Sequence, residues 1–172
     1  MKLLLTMTEK DIHPKSDIVK SANYKTRRAA RAVVKNSRNQ VALLKVGSHN
    51  YHKLPGGGVE KGEDLAVALE RELLEEIGCK ADVAAEVGKI VEYRDRWGLE
   101  QTSYCYLAAQ VGSQQPTAFT DEERAEGFKV VWADTIDAAI YLLEQDHPDN
   151  YDGLFIQLRD LTFLRVAKQL LV

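Results

Sequence analysis

Apolar residues recur at helical spacing through Leu65, Ala68, Leu69, Leu73 and Ile77. Asp64 in front is a capping residue type and Gly78 behind is a terminator, so the spacing predicts a helix from Asp64 to Ile77. Residues 28–35 and 40–46 carry the apolar content of two strands joined at Asn36-Ser37-Arg38-Asn39 in a hairpin-like turn. Residues 82–94 and 101–111 predict two more strands about the turn Asp95-Arg96-Trp97-Gly98. A short strand at 128–132, a helix at 136–144 and a last helix at 155–171 complete the pattern. Pro55-Gly56-Gly57-Gly58 reads as a turn, and residues 145–153, with Pro148 and several Asp and Asn, as a loop. Strands with helices before, between and after them predict a mixed sheet covered by helices. At 172 residues the whole chain, 1–172, is expected to be one domain.

A hydrophobic fraction of 45% and a charged fraction of 28% describe an ordinary globular protein. The opening Met1-Lys2-Leu3-Leu4-Leu5 is too short an apolar run for a leader, and Glu9, Lys10 and Asp11 follow it. Only Cys79 and Cys105 could pair, too few for a disulfide framework, which predicts a reducing, cytoplasmic setting. The net charge of −3 conceals two opposed blocks. Residues 60–76 hold seven acids against two bases, and residues 10–35 hold eight bases against two acids. The first block invites a cation and the second attracts phosphates or is simply solvated.

The acidic block has internal order. Glu72, Glu75 and Glu76 fall at i, i+3 and i+4, within about a 100° arc of a helix. Leu69, Leu73 and Ile77 lie on a different side, while Leu65 and Ala68 share the glutamate arc one turn earlier. Carboxylates this close repel unless a cation sits between them, and magnesium suits hard oxygen donors. From Gly57 the chain runs five residues to Glu63, seven more, then Arg71-Glu72-Leu73-Leu74-Glu75-Glu76-Ile77-Gly78-Cys79. By residue frequencies such a match arises on the order of once in a billion windows, so composition does not explain it.

This segment resembles the Nudix box, and the order of elements around it, roughly residues 25–145, is also similar to that family. The resemblance implies an α/β/α sandwich with a mixed β-sheet. It implies a pyrophosphohydrolase, dependent on Mg2+ with Mn2+ as a substitute, that cleaves the phosphate–phosphate bond of a nucleoside diphosphate linked to another moiety. Glu72, Glu75 and Glu76 would hold metal together with the Gly56 carbonyl, Arg71 would fix the rotamers of the box glutamates, and Glu63 would support them. A wet site is expected around Glu75 and Glu76. The general base stays open, with Glu122, Glu123 and Glu126 as candidates outside the box. Arg27, Arg28 and Arg31 are candidate phosphate contacts, with Arg27 and Arg31 on one strand face and Arg28 on the other. Tyr51, His52, Tyr93, Trp97, Tyr104 and Phe128 could stack on a base or simply pack.

Two rival readings are a nucleotide-sensing domain without catalysis and an enzyme acting on capped RNA. The intact box argues against the first, and a pI near 5.8 without a long basic face argues against a nucleic-acid partner. The expected partner is a nucleotide-type small molecule, with no membrane involved and a homodimer left open.

Overall fold

The run Ala29-Ala30-Arg31-Ala32-Val33-Val34 sits at the centre of the molecule, buried on both faces, in a computed structural model that describes residues 1–171. Val172, the end of the span expected for the domain, lies outside the described residues. This run belongs to β2 (Lys25–Lys35), and its alternation sets the architecture. Ala30, Ala32 and Val34 point to one side, where they pack on Ala68, Leu69, Leu73 and Ile77 of α2 (Leu65–Ile77). Val33 points to the other, into a core with Leu143 of α4 (Ile136–Gln145) and with Phe155, Phe163 and Leu164 of α5 (Tyr151–Leu170). Helices cover both faces of one sheet, the expected α/β/α sandwich. No helix among the described residues is long and apolar enough to cross a membrane.

The sheet is mixed. Its order is β1 (Leu3–Met7), β6 (Lys80–Arg94), β7 (Leu99–Val111), β2, β3 (Val41–Val46), β4 (Tyr51–Lys53). Pairs β1–β6 and β2–β7 are parallel, and β6–β7 and β3–β4 are antiparallel. Two strands lie off this path: β5 (Gly56–Gly58) pairs with β2, and β8 (Phe128–Ala133) with β3. The short helices α1 (Glu9–Ile12) and α3 (Asp121–Ala125) complete the chain.

α2 begins and ends as its sequence predicts. Asp64 Oδ1 accepts from the Ala66 and Val67 amides, each at 2.9 Å. Gly78 closes the helix at φ 63°, where any side chain would strike the Gln115 carbonyl. Leu69, Leu73 and Ile77 each stabilise by about 1.5–3 kcal/mol through burial, which outweighs the carboxylate repulsion on the same helix.

Several expectations are corrected. Gly56–Gly58 forms a strand against Ala29–Arg31 instead of a turn. The Gly56 φ of 124° excludes a side chain, and a Cβ there would fall on the Ala30 carbonyl, so glycine is what permits the close ladder. The expected hairpin of 28–35 with 40–46 shrinks to one pair, Lys35 with Val41. The strands diverge because β5 takes the β2 edge, while β4 and β8 take both edges of β3. α5 starts at Tyr151 instead of 155, because Asn150 Oδ1 caps the Gly153 amide at 2.8 Å. β1, α1, β4 and α3 were not anticipated, each too short to show a period.

Candidate active site

The C-terminal end of β4, the glycine strand and the first face of α2 meet at one cleft of about 350 Å3. Gly56, Gly57, Glu72 and Glu76 line it together with Arg27 and Arg31 from β2. Arg94 of β6, Gln101 of β7, and Asn150, Asp152, Ile156 and Arg159 of the α5 segment line it as well.

Each box residue has a definite partner. Arg71 forks onto Glu63, Nε to Oε1 and Nη2 to Oε2, both at 2.9 Å, and reaches Glu72 Oε1 at 2.9 Å and Glu75 Oε2 at 3.3 Å. Its Nη2 also donates to the Gly58 carbonyl at 3.0 Å, tying α2 to the glycine strand. Those Arg71 hydrogen bonds, with the Glu60 amide, pull the Glu63 carboxyl down to about 2. Glu72 lies directly against Gly57, where a Cβ would fall on its carboxyl group. Burial, then the neighbouring Glu76, raise the Glu72 carboxyl above its ordinary range. Glu76 is only 2% exposed, against the expectation of a wet site for Glu75 and Glu76. Its Oε2 accepts from the Gly56 amide at 2.5 Å and its Oε1 from Lys53 Nζ at 2.9 Å. Glu75, expected beside Glu72 and Glu76, is half-exposed and does not line this cleft.

The two strand-face arginines behave differently. Arg31 is buried and donates to the Gly56 carbonyl, with its Nε left without a partner. Burial pushes its guanidinium down to about 10, and the cationic Arg159 acts in the same sense. Arg27 stands against Gly58 with more exposure, its pKa lowered by burial and by Arg94. Arg28, on the other face, is exposed, and its side chain makes one hydrogen bond, Nη2 to the Glu63 carbonyl at 3.5 Å.

Of the three outside glutamates, Glu123 and Glu126 line the cleft and Glu122 does not. Glu123 Oε2 is engaged by the Thr120 amide (2.8 Å) and hydroxyl (3.0 Å), whereas the Glu126 carboxylate makes no hydrogen bond among the described residues. Of the aromatic candidates only Tyr51 lines this cleft. His52 is buried against Asp146, Tyr93 packs edge-on to Tyr24, and Phe128 lies under Lys53 at 4.8 Å.

Sequence reasoning missed Lys53, Arg94, Gln101, Asp152 and Arg159. Behind them Glu92 accepts from Arg94 at 2.5 Å, from Arg159 at 3.3 Å, and from Gln101 and Ser103. Burial alone would raise Glu92, but Arg159 and Arg94 hold it below the ordinary carboxylate range. A signal was present: Phe155, Arg159 and Phe163 fall at i, i+4 and i+8, so a charge interrupts the apolar stripe of α5.

Among the described residues no three Asp, Glu, His or Cys side chains form a ready-made metal cage, and Lys53 and Arg71 engage the box carboxylates. The donors still suit a hard divalent cation. Glu72, Glu76 and the Gly56 carbonyl are oxygens on one cleft, and the pair of crowded carboxylates is relieved by added positive charge.

A family model described as NUDIX domain matches residues 25–154. The chain is similar to a Bacillus subtilis (strain 168) protein named "Putative 8-oxo-dGTP diphosphatase", 33% identical over 99 residues, 58% of this chain. The match spans 62% of that relative's length. Among solved structures, the E. coli ORF135 protein superposes with a TM-score of 0.62 at 19% identity, covering 87% of this chain and 93% of that one. MutT protein from Methanosarcina mazei Go1 gives 0.59 at 17% identity, covering 87% and 98%. At these identities the two structures speak to the fold.

Proposed function

Because the chain belongs to the NUDIX family, we propose that it is a Mg2+-dependent pyrophosphohydrolase acting on a nucleoside diphosphate linked to another group. The observation that carries this reading is the convergence of Glu72, Glu76 and Gly56 on the cleft that Arg27 and Arg31 also line. A polyanion placed there meets oxygen donors for its cation and, beside them, guanidinium groups.

Glu72, Glu75, Glu76 and the Gly56 carbonyl would hold the metal, whose chemistry is charge neutralisation and acidification of a bound water. Arg71 fixes Glu72 and Glu75 relative to the glycine strand, a role for which its planar fork is suited. Arg27, solvent-accessible and without a carboxylate partner among the described residues, takes a substrate phosphate. Arg31, lodged on the Gly56 carbonyl, orients the strand as well as adding charge. Glu126 is the better placed general base, because Glu123 is already occupied by its helix cap.

We also propose that the chain works as a single domain, since β1 is laddered to β6 and α5 supplies Arg159 to the cleft. Cys79 and Cys105, both free and buried, agree with the cytoplasmic setting proposed for it.

The test is a panel of nucleotides with Mg2+, reading phosphate after added pyrophosphatase for the triphosphates and after added phosphatase for substrates whose own phosphates are blocked. It should include 8-oxo-dGTP, for which the Bacillus relative is named, together with unmodified triphosphates, nucleoside diphosphate sugars and capped RNA. Turnover of at least one small nucleotide is expected. Binding without turnover across the panel would make the protein a sensor, and turnover of capped RNA alone would make it a decapping enzyme.

A further inference from the structure

β4 ends the sheet, with β3 along one edge and no strand along the other among the described residues. Two carboxylates take the place of that missing strand. The His52 amide donates to Asp146 Oδ2 at 2.6 Å, and the Leu54 amide, two residues on, donates to Asp160 Oδ2 at 2.8 Å. The second of these is the more heavily built. Asp160 is fully buried and is held by Arg159, Nε to Oδ1 at 2.7 Å and Nη2 to Oδ2 at 3.2 Å. Arg159, also fully buried, reaches on to Glu92 at 3.3 Å.

A buried Asp–Arg–Glu triad is an expensive way to satisfy one amide, for which a neutral side chain or a water would serve. What it adds is rigidity at a chosen point. Leu54 is followed by Pro55, whose ring fixes φ, and then by Gly56. The Gly56 amide donates to Glu76 and its carbonyl accepts from Arg31. An anchor on Leu54 therefore sets the orientation of the Gly56 peptide through one stiff residue. Both Arg159 and Asp160 lie beyond residue 154, where the family match ends.

We propose that Asp160, clamped by Arg159, is a positioning residue for the Gly56 carbonyl and Glu76, and so for the cation site. This rests on the metal-dependent reading above. The anchor is supplied by the C-terminal helix and not by the box, so it makes the metal affinity of the box depend on a residue 84 positions beyond Glu76.

The test uses Mn2+ alone, followed by electron paramagnetic resonance of the free ion, with no substrate present. Asp160→Asn should weaken Mn2+ binding by about 10–100-fold, as loss of an outer-shell partner does. Asp146→Asn cuts the neighbouring anchor on the same edge, four residues from Gly56, and should lower the melting temperature while leaving Mn2+ affinity within about twofold. Unchanged affinity in Asp160→Asn, or equal weakening in both variants, overturns the proposal. Amide exchange on the unaltered protein keeps the question answerable if Asp160→Asn does not fold. Coupling is reciprocal, so Mg2+ should raise the protection of the Leu54 amide together with that of Gly56. A Leu54 amide indifferent to Mg2+ overturns the proposal as well. Absence of any Mn2+ binding by the unaltered protein would instead overturn the metal-dependent reading on which it rests.

Discussion

Replacing Glu76 by glutamine separates a buried structural carboxylate from a merely catalytic one. Both oxygens of Glu76 accept: one from the Gly56 amide and one from the Lys53 ammonium. A glutamine has only one accepting end, so its NH2 must face either the amide or the ammonium. In each orientation a donor meets a donor at a residue that is 2% exposed. An unsatisfied buried donor costs about 1–3 kcal/mol. Relief of the repulsion with Glu72 returns part of this, but Arg71 already offsets much of the Glu72 charge. A net loss of about 2 kcal/mol lowers Tm by about 4–8 °C in a chain of this size. Glu75→Gln is the control. Its side chain is 45% exposed and its one ion pair, to Arg71, is 3.3 Å long, so it should lose less than about 1 kcal/mol. Thermal unfolding in excess chelator at pH 7 measures both without interference from bound metal. Adding Lys53→Met to Glu76→Gln should recover part of the loss by removing one of the clashing donors. If Glu76→Gln melts within a degree of the unaltered protein, or if Glu75→Gln loses as much, the buried accepting role of Glu76 is wrong. The rates carry no such distinction: both variants should slow turnover by about 100- to 10,000-fold.

Chelator should abolish hydrolysis and Mg2+ or Mn2+ should restore it; full turnover in excess chelator would rule out the metal mechanism. Arg27→Ala should raise KM with kcat nearly unchanged, because the contact forms equally before and during reaction. Arg31→Ala should lower kcat and stability together, since it also frees the Gly56 carbonyl, and Arg28→Ala should change neither parameter; identical kinetics for the three variants would cancel this assignment. Glu63→Gln should be less stable than the parent at neutral pH, and the gap should close on acidification. The Glu63 carboxyl sits at about 2 in the folded protein against an ordinary 4.5, so its contribution is present above 4.5 and is lost as pH falls towards 2. A gap constant between pH 6 and pH 3 in denaturant titrations would contradict the Arg71–Glu63 pairing.

What was legible in the sequence was whatever depends on neighbours within a turn or two. α2 could be placed from Asp64 to Gly78 because cap, stripe and terminator all lie inside the segment, and the box glutamates come with it. Gly56–Gly58 was misread because glycine signals both a turn and a close backbone approach, and only the partner strand, some 27 residues earlier, decides between them. The same limit hid half of the cleft. Lys53, Arg94 and Arg159 come from three elements with nothing local to join them, although a charge inside the apolar stripe of α5 was visible. Asn150 was hidden for a different reason, since Pro148, Asp149 and Asn150 describe a loop and a helix cap equally well.

The central strand finds its longest partner late. Lys25 pairs with Leu99 and Lys35 with Ala109, in parallel and without a break, so all eleven residues of β2 wait for a segment that follows four strands and a helix. Closing such a loop forfeits chain entropy before any contact rewards it, which places this topology among the slower folders. Until β7 arrives, the run Ala29 to Val34 presents an open apolar edge, because the three glycines of β5 pair along the opposite edge. During synthesis that edge is the segment most exposed to mispairing with another copy, and Arg31, the one charge within it, is the residue placed to discourage it.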